Sequence, residues 1–557
     1  ARFYARTQRS DEAEKVLKDL VASSPDKLEP RFYLAQFYKE KKKNDALEVV
    51  LKKAVEDMPQ KYRAYEMLAR HYVELGSKDN ALELLKGFTK SIRTGPDFLK
   101  AKLAIASIYF SEKDLDGASK LVDEVLDENA KDVKAHTLKG SILAIRKDFA
   151  GAVSEYRAVL GEEPRNILVS LKLAKAHFAN NDTGLAEDTY KRILEINPKV
   201  LEARYALSAI YRMKGKLGLA KEQLEKIIEK DSDNTKALMA MGDICLADKD
   251  LKGARRHFGN LLALEPGSVQ ANYKNGVVKL IENKSHEAAS LFEKALEIDP
   301  DFVPALRRLI DMLVKDEALD KAFARCKEQM EMRPKNAEYH VLLGTLYGID
   351  KDYEKARKSF EEALEIEPTS SNALFNLARL EQLQGSIDAA IAKYEKVRKQ
   401  TPNNLGVTML IATLLEKKGE FSKAKRLYEE VLEKNPKSSA AANNLAFFYA
   451  EHEPTKENLA RAERLVGPLL EKHKDNPDIV DTAAWIYYRK EDFERARDLL
   501  AGVSDMTGKR SIISYHLGMV YLALGNEAEG RKRLEEAMKG EEQFPGRSEA
   551  EKKLLMM

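Results

Sequence analysis

Cysteine is nearly missing from this 557-residue chain: Cys245 and Cys326 are the only two, they lie 81 residues apart, and neither belongs to a pair with zinc-ligand spacing. That weighs against a disulfide framework and a structural zinc site. Long hydrophobic runs are missing too, and without 18 consecutive apolar residues no segment qualifies as a membrane-spanning helix. Charge of one sign is not in excess. The 94 Lys+Arg and 91 Asp+Glu leave a net +3 and are interleaved along the chain, so no dominant field draws nucleic acid or an anionic membrane. A phosphate-binding glycine loop is absent, since Gly215-Lys216-Leu217-Gly218 has neither the spacing nor the Lys-Ser/Thr ending. His286-Glu287 lacks the second histidine of a helical zinc motif, and the nine histidines are dispersed. Carboxylate pairs abound, but a helical chain with 91 acids produces them by composition alone. These absences point away from an enzyme, a metal and a cofactor.

What the sequence does contain is a ladder of alanines. Ala118, Ala152, Ala186, Ala220, Ala254, Ala288, Ala322, Ala356, Ala390 and Ala424 follow one another at intervals of 34 residues. A small residue recurring at one phase marks a place where two backbones approach closely, as at a helix crossing. Ala13, Ala46 and Ala81 extend the ladder upstream, and Ala462, Ala496 and Gly530 extend it downstream, for sixteen units in all.

Other positions keep the same phase. Twelve residues before the ladder stands a second small residue, as in Ala69, Gly140, Ala174, Gly242, Gly276, Gly344, Ala378, Ala412 and Gly518. Nine before it an aromatic recurs (Tyr72, Tyr109, Tyr211, Tyr347, Tyr487, Tyr521, and Tyr4 beside Phe3 at the start), with His177 in the same phase. Four after it comes another: Tyr156, Tyr190, Phe258, Phe292, Phe360, Tyr394, Tyr428. Small residues are notches and aromatics the bulk that fills the space beside them. Between the helices, Lys147-Asp148, Asn181-Asp182, Lys249-Asp250 and Lys351-Asp352, or Gly76, Gly215, Gly385, Gly419 and Gly525, supply a left-handed turn residue and a helix cap. Twelve after the ladder a proline (Pro25, Pro164, Pro198, Pro266, Pro300, Pro334, Pro368, Pro402, Pro436) stops the second helix.

This set, most complete in Gly344, Tyr347, Ala356, Phe360, Ala363 and Pro368, resembles the tetratricopeptide repeat family over essentially the whole chain. The resemblance implies an all-α fold, a right-handed superhelical solenoid of about sixteen antiparallel helical hairpins whose first helices line a concave groove. By this reading residues 1–94 hold the N-terminal units with a truncated first hairpin, 95–437 ten regular units, 438–540 the C-terminal units, and 541–557 a capping helix with Leu554 and Leu555. Ala1 falls in mid-helix, so half a repeat is missing and a truncated or processed chain is expected, which leaves a signal peptide, a lipid anchor or upstream repeats open. Three irregularities stand out: a looser joint in Lys90–Pro96, an insertion at 451–456 that protrudes or lengthens a turn, and an odd Ala322 unit with Ile310, Pro304 and Cys326.

Residues fifteen, eleven and eight before the ladder share one helical face and should look into the groove. In the middle units these are Leu171, Phe178, Tyr205, Met239, Leu246, Tyr273 and Leu280, an apolar stripe that suits a hydrophobic peptide or is covered by curvature. Near the C-terminus Phe375, Asn376, Arg379, Asn443, Asn444, Phe447, Trp485, Tyr488 and Tyr515 mix amides with aromatics, suited to an extended peptide or polymer, or else packed within a tight coil. The lysine and asparagine series of the family's chaperone-type carboxylate clamp does not occur in phase. The run Asn443–Tyr449, with Asp475-Asn476-Pro477, Trp485, Tyr488-Arg489 and Tyr515–Gly518, is similar to the closing units of bacterial envelope lipoproteins associated with exopolysaccharide production and protein sorting. That resemblance implies a scaffold in the periplasm or at a bacterial membrane; a cytoplasmic location is the alternative. The partners expected are a protein or peptide, with a polysaccharide or an appended enzyme as further readings.

Overall fold

The computed structural model describes residues 10–504, 511–539 and 544–557. All 32 regular elements among them are α-helices, from Ser10–Ser23 to Arg547–Met556. Phe3, Tyr4 and the first residues of the expected cap, 541–543, lie outside the described residues. The chain divides into two compact bodies at Pro266 and Gly267, inside the stretch whose repeat spacing is regular.

Each hairpin is named here by its ladder residue. The Ala152 hairpin of the first body pairs Val133–Ile145 with Phe149–Glu162, and the Ala356 hairpin of the second pairs Ala337–Ile349 with Tyr353–Ile366. Their turns are built alike. Lys147 and Lys351 take φ of 64° and 63°, a left-handed step that ends the first helix. Asp148 and Asp352 then accept hydrogen bonds from the backbone N–H of Gly151 and Lys355, satisfying donors that the new helix leaves free. Second helices end two residues ahead of the prolines, as Glu162 does before Pro164 and Ile366 before Pro368.

Packing within a hairpin follows the two notches. The ladder alanines from Ala118 to Ala424 are all fully buried. Ser208, in the first-helix notch, donates to the carbonyl of ladder residue Ala220 at 3.0 Å, so the two small positions face each other across the hairpin. The ring four after the ladder lies on the notch. A Cβ at Gly140, Gly242, Gly276 or Gly344 would stand 2.4–2.6 Å from Tyr156, Phe258, Phe292 or Phe360. In the Ala322 hairpin the sizes are exchanged: Ile310 fills the notch, Cys326 takes the ring position, and both are buried. The volume is conserved while its source moves to the other helix.

Tyrosine nine before the ladder serves a second purpose. Tyr38 donates to Glu14 at 3.0 Å and Tyr487 to Glu463 at 3.1 Å, each glutamate standing one residue after the preceding ladder position. Lys43 and Lys490 bind the same two carboxylates at 2.7 and 2.6 Å. A phenol ring thus packs inside its own unit while its hydroxyl ties that unit to the one before.

Four expectations need correction. The second ladder position is Leu47, 4% exposed, which lies 34 residues from both Ala13 and Ala81; the half-buried Ala46 is one residue out of phase. The joint near 90–96 is not loosened. Its link, 92–95, is as short as the ordinary link 163–166, and the three extra residues lengthen the helix Pro96–Ser111 instead. The insertion at 451–456 does not protrude, because Ser439–His452 and Lys456–Lys472 absorb it as helix around a three-residue turn capped by Thr455. At the end of the chain Phe544 packs on Tyr515 at 5.5 Å, Ala550 is fully buried and Leu554 joins the core, while Leu555 points outward, 87% exposed.

Candidate binding site

The C-terminal candidates do not form an open groove. Trp485 is 3% exposed, stacked between Tyr488 (centroids 4.6 Å, planes 10°) and His516 (4.0 Å, 20°). Its indole N–H donates to Glu451 Oε2 at 2.8 Å. Tyr515 is also buried and donates to Glu549 at 3.0 Å. The physical reason is side-chain bulk: Tyr488 of Pro477–Arg489 itself and His516 of the neighbouring first helix Ser511–Ala523 stack on the indole, and Glu451 of Ser439–His452 takes its N–H, which fills the face that Trp485 was expected to present. Phe447 and Tyr488 are half-buried against the same core. Phe375 lies edge-on to Tyr394 at 5.4 Å, Asn376 donates to the carbonyl of Asn372, and Asn444 is half-buried. Asn443 has its Oδ1 buried with no hydrogen-bond partner among the described residues, and Arg379 alone of the nine is exposed.

The middle candidates divide between the two bodies. In the first, Leu171, Tyr205, Met239 and Leu246 are half-buried and Phe178 is exposed. Tyr205 donates to Asn234 at 2.7 Å and carries Lys236 over its ring at 4.4 Å, so it is already engaged within the fold. In the second, Tyr273 packs on Phe292 and Phe302, and Leu280 is half-buried.

A large cleft lies elsewhere, in the first body. It has a volume of about 1050 Å³ and is lined by the first helices Tyr62–Glu74 and Pro96–Ser111 with the starts of Leu28–Glu40 and Val133–Ile145. The floor is Ala69, Leu103, Ala104, Ser107 and Ile108; the walls carry Lys27, Lys61, Arg63, Lys100 and Lys134 together with Asp26, Glu29, Glu66 and Asp97. Glu66 and Leu103 stand fifteen before the ladder, Arg70 and Ser107 eleven, and Val73 eight, so the phase rule that picked the middle stripe also points here. Glu66, Arg70 and Ser107 interrupt Leu103 and Val73 at these inward positions, so no continuous apolar stripe marks them in the sequence.

Several buried ionisable groups outside the cleft belong to the packing. His516 Nδ1 lies 2.7 Å from Asp481 Oδ1, both buried beneath Trp485. Burial pushes the Cys326 thiol up to about 12 and that of Cys245 up to about 11, so neither supplies a thiolate near neutrality. Burial pulls His177 below the ordinary histidine range, with Arg157 adding to the effect. No cluster of three or more His, Cys, Asp or Glu among the described residues is arranged to hold a metal ion. No helix among them is long and apolar enough to cross a membrane.

Family models match along both bodies. One described as the tetratricopeptide repeat protein 21 C-terminal ARM domain covers residues 12–207. Two described as tetratricopeptide repeat cover 349–414 with 381–446, and 482–547. No curated protein matches the sequence. Similar solved structures include the APC/C hetero-tetramer Cut9-Hcn1 at 15% identity, covering 89% of this chain and 96% of that one with a TM-score of 0.40. Yeast Tom70 is 18% identical, with 78% and 97% covered and a TM-score of 0.37. A tetratricopeptide repeat protein from Parabacteroides merdae is 19% identical, with 45% and 98% covered and a TM-score of 0.38. With hairpins, notches and turns of this pattern and the family models that match along it, the chain is a tetratricopeptide-repeat protein, a helical scaffold for protein interactions.

Proposed function

We propose that the chain is a non-catalytic scaffold that holds a segment of a partner protein in the cleft of its first body. The observation that carries this is the cleft itself, about 1050 Å³ across consecutive first helices with an apolar floor and charged walls. A concave surface of that composition excludes water from a bound side chain at the centre and orients it with polar contacts at the rim. Ser107 is exposed on the floor, so Ser107→Trp fills the space without entering the core. Affinity capture with the wild-type chain and this variant tests the proposal. Proteins held by the wild type should be lost by the variant, and retention of all of them would overturn the assignment.

A narrower proposal places the scaffold in a bacterial envelope, in a polymer-export or assembly system, at the periplasmic face or on a membrane. It is supported by the likeness of Asn443–Tyr449 and of the units through Gly518 to envelope lipoproteins. Fractionation of cells producing the native protein tests it, and recovery wholly in the cytoplasm would reject it. A polysaccharide site built on the face of Trp485 is not carried further, because Tyr488 and His516 cover both faces of that ring.

A further inference from the structure

Lys172 is a half-buried lysine on the inward face of the helix Ile167–Ala179, and its Nζ lies 2.8 Å from Ser141 Oγ on Val133–Ile145. No carboxylate among the described residues pairs with it, and its charged neighbour is Lys175. Burial, and then the Lys175 ammonium, hold Lys172 below the ordinary lysine range. A desolvated cation without a counter-ion lowers stability, and a fold that keeps one gains nothing from it until an anion arrives.

Lys172 extends a row of cations. Arg63, Lys100 and Lys134 stand at one phase, eighteen residues before Ala81, Ala118 and Ala152; Leu168 interrupts that phase in the next hairpin, and Lys172 follows it one turn later on the same face. Arg63 stacks over Phe32 at 5.5 Å and Lys100 reaches the half-buried Asp97 at 2.9 Å, while Lys134 makes no ion pair among the described residues. The first helices behind this row pack side by side: Tyr62–Glu74 on Pro96–Ser111, where Tyr62 donates to the carbonyl of Lys100, and Pro96–Ser111 on Val133–Ile145. Neighbouring packed helices are about 8–10 Å apart, and an extended chain in the polyproline II form advances about 3.1 Å per residue with three residues per turn, so every third side chain of such a segment returns to one face and meets the next cation.

We propose that the concave face from Arg63 to Lys172 binds an extended acidic segment of a partner protein, with carboxylates at every third residue and small or apolar side chains between them. This rests on the cleft assigned above, whose floor of Ala69, Leu103, Ala104 and Ile108 takes the intervening side chains. A nucleic-acid strand is disfavoured by a floor of small and aliphatic side chains, which offers no ring on which bases could stack.

Fluorescence anisotropy with the whole chain tests the assignment. The probe is a labelled twelve-residue peptide with Glu at every third position and Ala, Ser or Leu between, amidated so that no terminal carboxylate contributes. It should bind, with affinity falling as salt rises, and a peptide of equal composition with its glutamates in one block should bind about tenfold more weakly. Lys134→Gln and Lys172→Gln should each weaken binding about tenfold while the melting temperature stays level or rises. Absence of binding to the spaced peptide, equal binding of the two peptides, equal binding of single-stranded DNA, or a melting temperature that falls with Lys172→Gln would each overturn the proposal. Loss of the peptide signal with Ser107→Trp-sensitive capture intact would remove the acidic ligand and leave the cleft assignment standing.

Discussion

The ring of Phe258 lies against Gly242 so closely that a Cβ on the glycine would stand 2.4 Å from Cε1, with both residues buried. Gly242→Ala therefore forces the ring to move within a packed hairpin. Because Ala378 is accommodated opposite Tyr394 in another unit, the expected loss is at the low end for overpacking, about 1 kcal/mol. Phe258→Leu should relieve it, as the pairs Ser208 with Leu224 and Ala484 with Leu500 do in their own units. Urea midpoints of the two single variants and the double variant measure the coupling; additive losses would show that the notch and ring do not oppose each other.

Glu187 ties the Ala186 hairpin to the next. Hydrogen bonds from Lys191, then from Lys214, hold its carboxyl down from 4.5 to about 2. A depressed carboxylate contributes stability that is complete above the unfolded pKa and disappears as the pH falls through the folded one. Glu187→Gln should therefore cost about 1 kcal/mol at neutral pH, and the gap from wild type should close between about pH 4.5 and pH 2. Thermal melts across that window check the sign, and a gap that widens on acidification contradicts it.

Trp485 is the only tryptophan, so its fluorescence reports one place in the second body. Native emission should be blue-shifted and poorly quenched by iodide, moving to solvent wavelengths on unfolding. Trp485→Ala should destabilise by about 3–5 kcal/mol, the usual loss for a buried large aromatic. Ready quenching in the native chain would instead place the indole on an open groove.

The two thiols give a chemical check on burial. Cys245 is 2% exposed and Cys326 fully buried, and burial raises both above the ordinary thiol range. A disulfide-exchange reagent at pH 8 should leave the native chain unmodified over minutes and titrate both cysteines in denaturant. Prompt reaction of Cys326 in the folded chain would mean that the Ala322 hairpin opens readily.

Local chemistry explains why so much of the fold was legible. A left-handed step at Lys147, a cap at Asp148, a notch at Gly140 and a stop at Pro164 each depend on residues a few positions apart, and the same words recur every 34 residues. The misplaced ladder residue Ala46 was decided by counting, since Leu47 carries the phase and a leucine in an alanine column hides it. Ile310 and Cys326 were visible as exceptions, but their exchange of volume becomes meaningful only once the two are known to share one hairpin interface.

The sequence by itself determined the hairpins, their turns and the residues that seal each one, because these are contacts within a single repeat. Tertiary structure decided which inward-facing positions stay open, because that depends on which side chains the neighbouring first helices lay over them. The same phase that leaves Ser107 exposed in the cleft buries Trp485 between Tyr488 and His516. Local periodicity names the face of a helix, and the side chains its neighbours lay across that face determine whether a partner can reach it.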